Sequence, residues 1–285
     1  MHENRRSILI LNFGVLLFGG TALFSKLITL PAIDITILRS SIAGLALMVW
    51  LLVRRRLVPL QRKDLHLMLL AGILFAVHWS LFFYSVQVST VAVGIVTLFT
   101  HPVMVVFLEP LFAGGRPRKK DIFAASMVVA GIYLMVPEFS FANDIALGIA
   151  WGLVSALLFT FRLIIQRQYL RHYPGDLCLF YLLLVVTLVL LPFASTQAFT
   201  KDASQWGLIV LLALVFTAIP HAIMTRSLRY LSAKTTSLVN SMQVVYSILL
   251  AILILSEIPT WQTVVGGSMI VFAAMNESLT TMNTK

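Results

Sequence analysis

The sequence predicts an all-α, polytopic integral membrane protein of ten transmembrane helices arranged as two inverted five-helix repeats. Composition is the first reason: of 285 residues, 59% are hydrophobic and 11% charged, against about 45–50% and about 25% in a soluble domain. Such a chain cannot cover itself with a water-facing surface. The second reason is spacing, because apolar runs of about 20 residues, the length a bilayer needs, recur between short polar connections. The third is internal similarity at an offset of about 142 residues.

Taken in order, the apolar runs predict spans over 8–28, 33–53, 65–86, 91–112, 121–137, 146–168, 177–195, 206–228, 235–255 and 261–279. The first follows Asn4-Arg5-Arg6 but outlasts the apolar core of a secretory signal. It has no small-residue cleavage site at a fitting distance, so it reads as an uncleaved span. Only Gln87, Ser89 and Thr90 divide the third span from the fourth. The combined run is too long for one crossing, so the chain turns there. Glu109-Pro110 reads as the cytoplasmic end of the fourth span. No connection is long enough to fold as a separate soluble domain.

The net charge of +10 sets orientation rather than pointing to nucleic acid. Eighteen of the 21 Lys and Arg fall in alternate connections and at the termini, in clusters such as Arg54-Arg55-Arg56 and Arg116 to Lys120. The other three are Lys26, Arg39 and Lys201. Basic residues are retained on the cytoplasmic side, so both termini are expected there, in an inner membrane, which requires an even number of spans. The clusters lack the aromatic interleaving of a nucleic-acid groove, and no nucleic-acid partner is expected. The single Cys178 excludes an intrachain disulfide and a cysteine-built metal site.

The repeat is visible in pairs of segments. Val88-Ser89-Thr90-Val91-Ala92 opens the fourth span and Tyr230-Leu231-Ser232-Ala233-Lys234 the ninth. Leu17-Phe18-Gly19 in the first has its counterpart in Leu158-Phe159-Thr160 of the sixth. Residues 1–140 and 141–285 form the two expected units. Five spans each is an odd number, so the second unit enters the membrane upside down. Inverted repeats of this kind mark secondary transporters, with the substrate site near the midplane where the repeats meet.

Several pieces resemble the drug/metabolite transporter superfamily, specifically its ten-helix members with two EamA-type repeats. They are Phe18-Gly19 with Lys26, Ile37-Leu38-Arg39, Thr100-His101-Pro102-Val103, Ser155-Ala156-Leu157 through Gln166-Arg167, and Ser256-Glu257 before Trp261. The resemblance covers essentially the whole chain. It implies an exporter of amino acids or related metabolites. Two positions depart from the family pattern: Gly114-Gly115 stands where Gly-Glu is usual, and Gln243-Val244-Val245 where a proline is usual.

Counting depth at 1.5 Å per residue places Trp79, His78, His101, Phe159, His221, Gln243 and Tyr246 near the midplane; Trp79, His101, Phe159, His221, Asn240, Gln243 and Tyr246 are the substrate-binding candidates. A polar group there cannot face lipid without a cost of several kcal/mol. Trp79 pairs with His221, and His101 with Gln243, across the repeat offset. His101 precedes Pro102, which removes a backbone donor and can kink the helix. A neutral imidazole there can donate to a carboxylate, titrate near neutral pH, or simply satisfy a carbonyl that the kink frees. Trp79 is favoured over His78 as the ring aimed at the cavity. Asn240, Gln243 and Tyr246 are expected on one helix face, either as site or as interhelical glue. Lys26 and Arg39, with Asp34 nearby, read as an extracellular polar cluster forming part of a gate. Glu109, Arg162 and Glu257 read as shallow residues near helix ends that pair or snorkel.

The function expected is secondary transport of a small organic metabolite, an amino acid or a related amphiphilic or aromatic solute, with export favoured and alternating access as the mechanism. No cofactor, metal or enzymatic activity is expected. No G-x-x-x-x-G-K-[ST] motif is present, so ATP is not the direct energy source. The partners are then the solute and membrane lipids, in a monomer or homodimer. A lipid-modifying enzyme, a scramblase and a channel are the alternatives. The enzyme lacks a nucleophile or ligand cluster near an interface.

Overall fold

The structure, a computed structural model, describes residues 2–113, 119–136, 143–227 and 233–282, and within them every predicted span is helical. Helix α1 runs His2–Gly20 and continues through a 3-10 turn, Thr21–Leu23, into Phe24–Leu27. Helices α2 (Ala32–Val53) and α3 (Leu65–Val88) follow. Helix α4 is broken into Val91–Leu98 and His101–Leu108, and α5 is Lys119–Met135. The second half comprises α6 (Asp144–Tyr169), α7 (Gly175–Leu190), α8 (Ala203–Ala213, a π turn over Leu214–Ala218, then Ile219–Ser227), α9 (Ala233–Leu250, closing in a π turn over Ala251–Leu255) and α10 (Trp261–Met282). Seven described segments are long and apolar enough to cross a membrane, and Asp121–Met135 and Val239–Leu255 are shorter apolar helices.

The helix starts follow from local chemistry. Thr90 accepts the Val93 amide at 3.1 Å and Asn143 accepts the Ile145 amide at 2.9 Å, so each caps a helix entry with its side chain. Asp202 does the same for Gln205 at 3.0 Å. Pro31 and Pro174 precede α2 and α7 in extended backbone, where a missing N–H costs nothing. The turn expected between the third and fourth spans lies at Ser89 and Thr90. Glu109-Pro110 differs from expectation: the helix breaks there but resumes over Pro110–Ala113.

The packing repeats under exchange of the two halves. Helix α3 lies on α6 as α8 lies on α1, and α4 lies on α6 as α9 lies on α1. The pair α3 and α7 matches α8 and α2, while α2 with α7 and α5 with α10 are their own counterparts. The dominant contacts therefore run between halves, and the space between them is common to both. Two glycines set how closely these helices approach. A side chain at Gly131 of α5 would meet the Gly266 carbonyl of α10 at 2.6 Å, and one at Gly19 of α1 would meet Tyr246 of α9 at 2.9 Å. Large apolar side chains such as Leu188, Leu253, Val129 and Phe272 are exposed on the outside of the bundle, as lipid contact requires. Gly114-Gly115, Arg116, Arg118, Glu138, Arg229 and Tyr230-Leu231-Ser232 lie outside the described residues.

Candidate functional site

Two of the helices that line the cavity, α4 and α8, carry a local defect in their hydrogen-bond ladder. In α4 the break at Phe99-Thr100 precedes Pro102, whose ring nitrogen cannot donate to the Leu98 carbonyl. His101 takes over: its Nδ1 lies 3.0 Å from that carbonyl oxygen. A carbonyl only accepts, so Nδ1 carries the proton and Nε2 is left for other partners. In α8 the π turn is marked by Thr217 Oγ1 donating to the Leu212 carbonyl at 2.8 Å. The Phe216 carbonyl in that turn accepts from Thr21 Oγ1 of α1 at 2.9 Å. These are the interruptions expected where backbone lines a cavity rather than lipid.

Between the halves lies a cavity of about 680 Å³, well within the range of small-molecule sites. Its inner part includes buried Thr21 and Phe82, and its mouth includes exposed Arg167 and Arg171 beside Tyr173, at the turn from α6 to α7. Phe159 of α6 sits at its centre. The ring stacks on His78 at 4.7 Å and meets His101 edge-on at 4.9 Å. His221 meets Phe18 edge-on at 4.8 Å on the opposite helices. Trp79, Asn240 and Gln243 also line the cavity, so six of the seven expected residues are present. Both repeat-related pairs, Trp79 with His221 and His101 with Gln243, thus face one space.

Four readings from the sequence need correction. Tyr246 does not line the cavity; its hydroxyl donates to Asn12 Oδ1 at 3.1 Å and its ring packs near Leu11 and Val15. At 100° per residue, six positions carry it about 120° around the helix from Asn240. His78 lines the cavity together with Trp79, its Nδ1 held 3.0 Å from the Ser155 carbonyl. Arg39 belongs to the cavity rather than to an outer cluster: its guanidinium carbon lies 3.8 Å from the Trp79 ring centre. Its long stem carries the charge inward from a backbone position near the helix start. Arg162 is not a shallow snorkelling residue either. It is 6% exposed and lies 4.3 Å from the Phe75 ring and 5.3 Å from Phe159. The signal for Arg162 was the i, i+3 spacing of Phe159 and Arg162 on α6; His78 was weighed against Trp79, and both rings reach the cavity.

The two arginines dominate the electrostatics. Among the described residues, no Asp or Glu lines the cavity, whereas four arginines do. A cation–π contact returns about 0.5–2 kcal/mol, while burying an unpaired charge costs several. The aromatic stacks therefore hold the guanidinium groups in place without neutralising them.

The end of the bundle away from the mouth carries a set of polar contacts between helices. Lys26 Nζ donates to the Ser89 carbonyl at 2.8 Å and the Gln87 carbonyl at 3.1 Å, and lies 3.9 Å from Glu257. Glu257 in turn accepts the Val91 amide at 2.9 Å. Asp34 is engaged elsewhere, accepting from the Ser195 amide at 2.9 Å and its hydroxyl at 2.6 Å. The Thr29 amide donates to Gln205 at 2.8 Å. Each of these last contacts, and the Glu257 pair, joins the first half to the second. At the mouth end, Tyr173 donates to Asp64 at 2.9 Å, and His172 approaches the same oxygen at 2.9 Å. Burial, with Asp64 beside it, raises the Tyr173 phenol above its ordinary range, so it remains a donor at physiological pH.

Comparison with known proteins agrees with this architecture. The chain is 28% identical over 254 residues to the "Pseudopaline exporter CntI" of Pseudomonas aeruginosa (strain UCBPP-PA14), covering 88% of each chain. It is 25% identical to the "Uncharacterized transporter YxxF" of Bacillus subtilis (strain 168), covering 79% of this chain and 74% of that one. It is also 25% identical to "Protein RarD" of Salmonella typhi, covering 69% and 66%. A solved crystal structure shares the fold at a TM-score of 0.67 with 19% identity, covering 98% of both chains. The EamA-like transporter family matches twice, over residues 5–136 and again over 146–276. Two matches to one family, on a helical membrane bundle with a cavity between its halves, identify the chain as a membrane transporter belonging to the EamA-like transporter family.

Proposed function

We propose that the protein exports a small organic metabolite, an amino acid or a related amphiphilic or aromatic solute, across an inner membrane by alternating access. The observation that carries this reading is the asymmetry of the cavity, open beside Arg167 and Arg171 and closed by contacts between halves at Lys26–Glu257, Asp34–Ser195 and Thr29–Gln205. With the basic connections on the cytoplasmic side, the mouth opens to the cytoplasm and both termini lie there. Trp79, His101, Phe159, His221, Asn240 and Gln243 contact the solute, and residues 1–140 and 141–285 are the two units that rock against each other. Lys26 is the gate residue; Arg39 acts on the solute instead. The pseudopaline exporter among the relatives supports the outward direction. The sealed end argues against a channel or scramblase, which needs a continuous path.

The test is counterflow of radiolabelled solute into proteoliposomes, with a panel of amino acids and amphiphilic amines. Saturable, trans-stimulated uptake of at least one solute is expected. Uptake that never saturates and never responds to trans solute contradicts a carrier.

A further inference from the structure

We infer that the cavity holds two separate anion subsites, one at Arg39 and one at Arg162, and that the transported solute is a small, flat organic molecule carrying two acidic groups. This deepens the carrier reading and rests on it for the word transported; the binding claim stands by itself.

Arg39 on α2 and Arg162 on α6 are 3% and 6% exposed. The Nε of each is buried without a hydrogen-bond partner among the described residues. Both stand on a ladder of rings: Arg39 lies 3.8 Å from Trp79, Trp79 lies 4.1 Å from Phe75, and Phe75 lies 4.3 Å from Arg162. Ring contact occupies the face of a guanidinium and leaves its edge, where the N–H donors are, free to bind. That edge suits a carboxylate, which accepts two parallel hydrogen bonds.

The protein supplies no counter-charge for either group within the cavity, since its described lining contains no carboxylate. Each guanidinium rests on its own ring, Arg39 on Trp79 and Arg162 on Phe75, and so presents its own donor edge as a separate subsite. A solute that reaches from one guanidinium to the other meets one charge at each end and lays its body along the half-buried Phe159 ring, which lines the same cavity. His101 and His78 each spend the Nδ1 proton on a backbone carbonyl oxygen, so as neutral rings they present Nε2 only as an acceptor and the arginines supply the charged donors.

Phenylsuccinate, phenylpropionate and phenylalanine share one ring and present two acids, one acid and a zwitterion. Their binding to the purified protein in detergent is measured by isothermal calorimetry at neutral pH. Phenylsuccinate is expected to bind on the order of tenfold or more tighter than phenylpropionate, because each charged hydrogen-bonded contact is worth at least that factor. Arg39→Gln and Arg162→Gln should each bring phenylsuccinate down to the level of phenylpropionate. Arg39→Lys and Arg162→Lys, which keep the charge but lose the fork, should fall between. Monodispersity and helical content of each variant separate lost binding from lost folding, and a Gln variant that does not fold is replaced by its Lys variant in the comparison. Equal binding of the three probes, tighter binding of phenylalanine, no binding of phenylsuccinate, or indifference of phenylsuccinate to both substitutions overturns the inference. Counterflow reports separately: exchange of a zwitterion by a protein blind to phenylsuccinate keeps the carrier and removes the two-acid site, whereas phenylsuccinate binding without exchange does the reverse.

Discussion

Replacing Lys26 by Met tests the gate. Methionine keeps the length of the apolar stem and removes the ammonium, which donates to two backbone carbonyls at 2.8 and 3.1 Å and faces Glu257 at 3.9 Å. Both side chains of the ion pair are about one quarter exposed, so that pair contributes at most about 1 kcal/mol. The two charged hydrogen bonds contribute more, although water replaces part of each at this position. A net loss of about 2 kcal/mol follows, and it falls on the state in which this end is closed. The population of the oppositely open state then rises roughly 30-fold. Thr21 lines the cavity near the closed end. In a Cys178→Ser background, a cysteine in place of Thr21 should react slowly with an impermeant maleimide added outside right-side-out vesicles. Adding Lys26→Met should raise that rate by up to the same factor. An unchanged outside rate, with the protein folded, would falsify the role assigned to the Lys26 contacts.

Other substitutions probe the cavity and the bundle. His101→Ala and Gln243→Ala should each impair counterflow while leaving expression and monodispersity largely intact; loss of folded protein would assign them to packing. Pro102→Ala restores an N–H opposite the Leu98 carbonyl, which now accepts from His101. It should raise the melting temperature, by up to about 1 kcal/mol of added stability, while slowing transport, and a faster variant would contradict the use of the kink. Gly131→Val inserts a branched side chain where the first added carbon already meets the Gly266 carbonyl at 2.6 Å. It should cost about 2–3 kcal/mol, seen as a lower melting temperature, and a neutral result would mean that α5 and α10 separate freely.

Much of the architecture was legible because bilayer thickness fixes span length. All ten runs appear as helices within a few residues of their predicted bounds. The repeat offset also carried real information, since Trp79, His221, His101 and Gln243 all reach one cavity. Depth along a helix is readable by counting, but direction around it drifts with each turn. That drift sent Tyr246 to Asn12 on α1. Long side chains defeat counting in another way. Arg39 starts in the second turn of α2 and Arg162 two turns before the end of α6, yet both guanidinium groups fold against aromatic rings of α3. Only the neighbouring helix reveals that destination. Conversely, the proximity of Lys26, Asp34 and Arg39 in the sequence suggested one cluster, whereas Lys26 meets Glu257 and the end of α3, Asp34 meets Ser195, and Arg39 stacks on Trp79.

The central claim is that the solute crosses through the cavity between the two halves. Leu163 lines it on α6 without serving any of the polar contacts. A cysteine at that position in a Cys178→Ser background, labelled to graded extents with a bulky maleimide, is followed by counterflow in proteoliposomes. The account predicts that transport falls in proportion to the labelled fraction and that bound solute protects the thiol. Full labelling with undiminished counterflow would place the path elsewhere.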